Sequence, residues 1–128
     1  MSTTTAVALS TIPAAIGAAF AGGIYAGIIR GKVGAPDEHL VLLPGEAVGV
    51  DWEAAGAFAA AGGGELPTRA EQALLFANLK DQFEEDWYWS CEQAGPSLAW
   101  VQYFYDGLQL DDYRSYEGRA CRVRRLPI

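Results

Sequence analysis

The sequence contains very little histidine, cysteine or positive charge. Its 128 residues include one histidine, His39, and two cysteines, Cys91 and Cys121. These counts exclude a histidine- or cysteine-rich metal site and a framework of several disulfides. The 16 acidic residues outnumber the 9 basic ones, and the formal net charge is -7. Because nucleic-acid binding needs a basic surface, we expect no nucleic-acid partner, and the acidic balance alone indicates no other partner.

Charge is also missing from the N-terminal region, since residues 1–29 include no charged side chain. A stretch of this length is compatible with a membrane span, but Pro13 and several glycines interrupt it, and a signal peptide would begin with a basic region. We therefore expect no membrane span and interpret residues 1–21 as an apolar N-terminal arm, with either a short helix or an extended segment over 13–21. Residues 22–128 are predicted to form one domain.

The best-defined pattern is a capped helix that runs into an aromatic strand. Residues 65–83 are interpreted as the helix, with Thr68 as its N-cap and Glu71 completing a capping box. In the strand that follows, Trp87, Trp89 and Cys91 are predicted to share one face. This pattern predicts an α+β domain in which two helices pack on a small, twisted, mainly antiparallel sheet.

Turn and periodicity signals predict the other elements. The second helix is expected to begin after the cap Asp51 and to end at the glycines 62–64. Strands are predicted over 24–29, 39–43, 99–105 and 119–125, loops over 30–38, 92–98 and 111–118, and a two-residue hairpin turn at Asp106 and Gly107.

The reactive side chains form no recognisable catalytic set. His39 is interpreted as a structural or surface residue, and Ser90 and Cys91 have no obvious base in the sequence. The carboxylates at 84–86 lack the spacing of oxygen ligands for calcium. We therefore expect neither enzymatic activity nor a cofactor. Cys91 and Cys121 are both expected to point inward, as two free thiols or, if their strands pair, as a disulfide.

Several short motifs follow one another along the chain. In order they are Leu66-Pro67-Thr68-Arg69, Tyr88-Trp89-Ser90, Ala99-Trp100, Phe104 with Asp106-Gly107, and Arg122-Val123-Arg124-Arg125. Together they resemble the DUF1566 family, also called the Lcl C-terminal domain family, over roughly residues 20–126. Gly22-Gly23-Ile24-Tyr25-Ala26-Gly27 resembles a strand of its phage branch. The resemblance implies a C-type-lectin-like fold without the calcium site of true lectins, as found in bacterial adhesins and phage tail proteins. Cys91 departs from the family pattern, where a second serine is usual.

A binding surface is expected where the polar loops 92–98 and 111–118 cluster at one end of a rigid sheet. Tyrosine and arginine are enriched in binding hot spots, although tyrosines also serve simply to cover a sheet. The predicted ligand-binding residues are Gln102, Tyr103, Tyr105, Tyr113, Arg114 and Tyr116.

The resemblance leads to one expected function and two alternatives. We expect a phage virion protein, associated with the tail or tail fibre and synthesised in the bacterial host cytoplasm. It would bind a host surface receptor or a neighbouring virion protein and form a homo-oligomer, a trimer being the expected closed form. The alternatives are a purely structural virion component that assembles through its apolar arm, and an acidic phage-encoded inhibitor of a host factor.

Overall fold

The computed structural model describes residues 15–128, which form an α+β fold with two helices, as predicted. The helices are α1 (Trp52–Ala61) and α2 (Arg69–Leu79), and a short 3-10 turn (Lys80–Gln82) follows α2. The strands are β1 (Ala19–Phe20), β2 (Gly23–Ile29), β3 (Glu38–Leu42), β4 (Ala47–Val50), β5 (Trp87–Gly95), β6 (Leu98–Tyr103), β7 (Gln109–Tyr113), β8 (Gly118–Ala120) and β9 (Val123–Pro127).

The strands are divided between two sheets, where the sequence predicted one. The first sheet has the order β1-β2-β3-β9 and is antiparallel throughout. The second has the order β4-β8-β5-β6-β7, and only its β5–β8 pair is parallel. The single closing strand predicted over 119–125 is wrong, because the chain leaves the second sheet after Ala120 and enters the first at Val123.

The predicted capping box at the start of α2 is confirmed. The Glu71 amide donates to Thr68 Oγ1 over 3.1 Å, and the Thr68 amide donates to Glu71 Oε1 over 2.8 Å. The predicted start at Glu65 is wrong, because the Glu65 backbone instead exchanges two hydrogen bonds with Val123, at 2.8 and 3.0 Å. In α1, Asp51 accepts the Ala54 amide over 2.8 Å and Gly62 is the C-cap, both as predicted.

The second sheet separates two apolar cores because successive residues of a strand point to opposite faces. On one face Tyr88 and Phe104 pack with Leu75 of α2 and with the first sheet. On the other face Trp89 and Val101 pack beneath α1. The two helices therefore lie on opposite faces of this sheet: α2 and the first sheet pack on one face, and α1 packs on the other.

Three turn predictions need correction. The predicted loop 92–98 is a strand hairpin, since β5 continues to Gly95 and β6 begins at Leu98. The turn at Gly107 is longer than two residues: the Gly107 amide donates to the Tyr103 carbonyl over 2.8 Å, and Gly107 has a φ of +83°. The predicted loop 111–118 is shorter, because β7 extends to Tyr113.

Strand β4 was not predicted.

The predicted arm, residues 1–21, lies mostly outside the described residues. Within its described part, Ala19 and Phe20 form β1, which pairs with β2. No helix within residues 15–128 is long and apolar enough to cross a membrane.

The two cysteines are free thiols in different environments. Cys121 is buried as predicted, whereas the prediction that Cys91 points inward is wrong, since it is exposed. The reason is an irregularity in the β5–β6 register between Trp89 and Gln93, which interrupts the alternation of β5 just before Cys91.

Candidate binding surface

Helix α1 covers only part of its face of the second sheet and leaves the rest open. Buried Trp89 and Val101 lie under the helix. Trp87, Tyr103 and Leu110 point to the same side, because Trp87 pairs with Tyr103 and Val101 pairs with Leu110 in the sheet register. The uncovered part, which we call the open face, consists of Trp87, Tyr103, Tyr105, Leu108 and Leu110.

Three aromatic rings form a row on the open face. The rings of Trp87 and Tyr103 are stacked, with centroids 4.6 Å apart and planes at 13°. The Tyr105 ring lies 5.8 Å from that of Tyr103. Tyr105, Leu108 and Leu110 expose 55%, 49% and 37% of their surface. A contiguous exposed apolar surface of this kind is typical of interaction sites, whereas isolated exposed apolar side chains are not.

A buried hydrogen-bond network holds the strands of the open face from behind. The Gln102 side-chain amide donates to the Gln72 carbonyl over 2.7 Å, and Gln109 donates to Gln102 Oε1 over 2.8 Å. Gln72 in turn donates to the Tyr88 carbonyl over 3.0 Å. This network joins α2 to three strands, so the rings in front stand on a rigid support.

The prediction that Gln102 lies on the binding surface beside Tyr103 is therefore wrong. Its side chain is fully buried on the α2 face of the sheet, opposite the open face. Alternation along β6 separates Gln102 from Tyr103, and the hydrogen bonds to Gln72 and Gln109 show that it has a structural role.

The other predicted residues lie at two ends of the β6–β7 hairpin. Tyr103 and Tyr105 belong to the open face, next to the β6–β7 turn. Tyr113 pairs with Leu98 at the opposite end of the hairpin. There the β5–β6 turn and the segment after β7 meet, because the Arg114 amide donates to the Ser97 carbonyl over 2.8 Å.

Arg114 is engaged in intramolecular contacts. Its guanidinium forms an ion pair with Glu53 at 3.3 Å, donates to the Pro96 carbonyl over 3.2 Å and lies 4.9 Å from the centre of the Trp52 ring. These contacts join the loop after β7 to α1 and to the β5–β6 turn. Arg114 thus holds the loop after β7 and the β5–β6 turn in position. The neighbouring Tyr113 is 66% exposed.

Tyr116, the last of the predicted binding residues, lies between the two ends of the β6–β7 hairpin and is partly buried. Its ring contacts that of Trp89 edge to face at 6.2 Å and belongs to the core beneath α1. Burial raises the pKa of the Tyr116 hydroxyl, and the carboxylates of Asp86 and Asp112 raise it further. Removing Tyr116 would therefore affect packing as well as any surface contact.

Three members of the open face were not among the binding residues predicted from the sequence. Trp87 was assigned to an inward face, and residues 108–110 were interpreted only as the strand that returns after the turn at Gly107. Their alternation did indicate a common face of the sheet. No local signal indicated where α1 would end over that face.

Several other features of the described structure lie outside the open face. A cavity of 620 Å³ lies beside β1 and β2 and is mostly apolar, with Glu46 on its wall. The Glu46 carboxylate accepts the Tyr88 hydroxyl over 2.7 Å and pairs with Arg119 at 3.4 Å. His39 is largely buried, and its Nδ1 lies 2.9 Å from the Tyr25 hydroxyl. Within residues 15–128 no group of three or more acidic, histidine or cysteine side chains is placed to hold a metal ion.

Comparison of the sequence with protein-family models gives no match, and comparison with curated proteins gives none either.

Proposed function

We propose that this chain is a phage virion protein, associated with the tail or tail fibre, that binds a host surface receptor or a neighbouring virion protein through its open face. The single observation that carries the binding role is the uncovered aromatic row of Trp87, Tyr103 and Tyr105 on a rigid sheet. Catalysis has no part in the proposal.

Binding through the open face requires little ordering of side chains. Aromatic side chains provide a large contact area with few rotatable bonds, and they dominate binding hot spots for that reason. Here the Trp87–Tyr103 stack and the Gln102 network already hold the rings in place, so that little conformational entropy is lost when a partner docks.

The phage assignment and the C-type-lectin-like fold rest on the motif resemblance to the DUF1566 family. The confirmed capping box at Thr68 is in keeping with its helix motif. Buried Tyr88, Trp89 and Ser90 are in keeping with its aromatic strand motif. These agreements support the proposal without depending on the ligand.

Mass spectrometry of particles purified from the bacterium that carries the gene tests the virion assignment. We expect the chain among the particle proteins. Its presence in particles combined with no attachment to cells would favour the structural alternative. Its absence from particles would favour the inhibitor of a host factor.

A double variant tests the open face. Tyr105→Ala with Leu110→Ala changes two exposed side chains, so the melting temperature should hardly change, while attachment to cells or to the virion partner should weaken by about tenfold or more. Tyr113→Ala is the matched control, since it removes an even more exposed ring at the far end of the hairpin. If only the control weakens attachment, the binding surface is the predicted patch around Tyr113.

We also propose that the apolar arm, residues 1–21, packs against another copy of the chain, with a trimer as the expected closed form, or against another virion protein. Deletion of residues 1–18 should then convert an oligomer into a monomer in light scattering. An unchanged molar mass would reject this assembly role and leave the open face as the remaining contact surface.

A further inference from the structure

The negative charge of the chain is concentrated in one segment. Residues 81–117 include nine of the 16 acidic residues and one of the 9 basic residues, so this segment has a net charge of -8. The rest of the chain, with seven acidic and eight basic residues, has a net charge of +1. The same segment contributes every residue of the open face. The open face therefore belongs to the acidic segment of the chain.

Carboxylates border the open face closely. Asp86 directly precedes Trp87, Asp106 directly follows Tyr105, and Asp112 pairs with Ala99 on the face that includes Leu110. Asp86 forms an ion pair with Arg119 at 2.9 Å. Asp106 and Asp112 accept backbone amides, of Leu108 over 3.0 Å and of Tyr113 over 2.7 Å, and neither forms an ion pair within residues 15–128. Their negative charge is thus available to a partner.

The aromatic rings of the open face, of which Tyr105 is exposed and Trp87 and Tyr103 are half-buried, match the chemistry of arginine and lysine side chains when unpaired carboxylates border them. A guanidinium stacks on an aromatic ring and pairs with a carboxylate at the same time. The chain itself uses this arrangement at Arg114, whose guanidinium lies 4.9 Å from the centre of the Trp52 ring and pairs with Glu53 at 3.3 Å. An anionic polysaccharide would be repelled by the same surface.

We propose that the open face docks an arginine- or lysine-rich segment of a partner protein. This inference rests on the proposed function and names the chemistry of the partner. Association should be steered by charge and should weaken as salt is added, because Asp106 is exposed and Asp86 and Asp112 are only partly buried, so that salt screens their charges.

Fluorescence anisotropy with a labelled decapeptide of alternating arginine and glycine tests the proposal on the full chain. The matched peptide has glutamine in place of arginine. At low salt we expect the arginine peptide to bind about tenfold more tightly than the glutamine peptide, and to lose about tenfold in affinity between 50 and 300 mM salt. Equal affinity for both peptides, or no binding of either, would overturn the proposal.

Two charge variants separate local from overall electrostatics. Asp106→Asn with Asp112→Asn keeps the oxygens that accept the backbone amides but removes two charges beside the open face. Asp37→Asn with Glu38→Gln removes two charges at the end of the first sheet. Only the first pair should weaken arginine-peptide binding, by about fivefold. Equal weakening by both pairs would show that net charge alone attracts the peptide, which contradicts a docking site.

The outcome for the partner's chemistry is independent of the outcome for the proposed function. If Tyr105→Ala with Leu110→Ala abolishes attachment while the Asp106 and Asp112 variant attaches normally at all salt concentrations, the open face binds a neutral partner. In that case the binding function stands and the inference about a basic partner fails.

Discussion

The carboxylate of Glu71 joins the start of α2 to strand β9 of the first sheet through a bidentate ion pair with Arg125. Arg125 Nη2 lies 2.7 Å from Glu71 Oε1, and Arg125 Nε lies 2.5 Å from Glu71 Oε2. The same Oε1 accepts the Thr68 amide of the capping box. One nearly buried carboxylate therefore completes the helix cap and connects residues 54 positions apart in the chain.

Arg125→Met should lower the free energy of unfolding by about 3 kcal/mol, because it leaves the Glu71 carboxylate buried without its cation. Glu65→Gln, which removes the exposed partner of the same guanidinium, should cost less than about 1 kcal/mol. Urea denaturation measures both. A cost for Arg125→Met no larger than that for Glu65→Gln would contradict a structural role for the buried pair.

Thr68→Ala should lower the free energy of unfolding by about 1 kcal/mol, since the Glu71 amide loses its acceptor. Thr68→Ser keeps the hydroxyl and should be nearly neutral. Thermal melts of the three proteins decide the matter: coincident curves would mean that the capping box contributes nothing measurable to stability.

One thiol should react with a disulfide reagent in the native protein, and two after unfolding. Cys91 is exposed, although partial burial raises its pKa, so its reaction should be slow at neutral pH and accelerate as the pH rises. Burial raises the pKa of Cys121 well above its usual range and also blocks access.

Cys91→Ser is the control for the thiol count and should leave no reactive thiol in the native state. Intact mass should be the same before and after reduction, because both cysteines are free. A reduction-dependent change of two mass units would instead reveal a bond between them.

Stability should fall above pH 10 in a way that depends on Tyr88. Burial, followed by the hydrogen bond to Glu46, raises the pKa of the Tyr88 hydroxyl well above its value in an unfolded chain. Above pH 10 the unfolded state releases this proton while the folded state keeps it, so the free energy of unfolding decreases by up to about 1.4 kcal/mol per pH unit for this group.

Tyr88→Phe should flatten this alkaline decrease, and at neutral pH it should cost about 2 kcal/mol because the hydroxyl's bonds to Glu46 and to the Glu84 amide are lost. Tyr113→Phe, which changes an exposed hydroxyl, should leave the alkaline slope as it is in the unchanged protein. Denaturation between pH 8 and 11 measures the three slopes. Parallel slopes for the unchanged protein and Tyr88→Phe would assign the alkaline loss to another group.

Features determined by the sequence itself are those whose contacts are local. The capping box joins Thr68 to Glu71 only three residues away, and Asp51 caps α1 through Ala54 in the same way. Each requires only neighbouring residues to adopt helical geometry, and each was predicted correctly. The alternation of Trp87, Tyr88 and Trp89 likewise follows from the period of a strand.

The tertiary structure alone decided which surfaces are covered. Alternation placed Trp87 and Trp89 on one face, but α1 buries Trp89 and leaves Trp87 half-buried on the open face. Gln102 has the polarity of a surface residue, yet it is buried because Gln72 and Gln109 approach from distant parts of the chain. Coverage depends on where helices dock and on which of two sheets a strand joins. These are non-local outcomes of packing that no short sequence window contains.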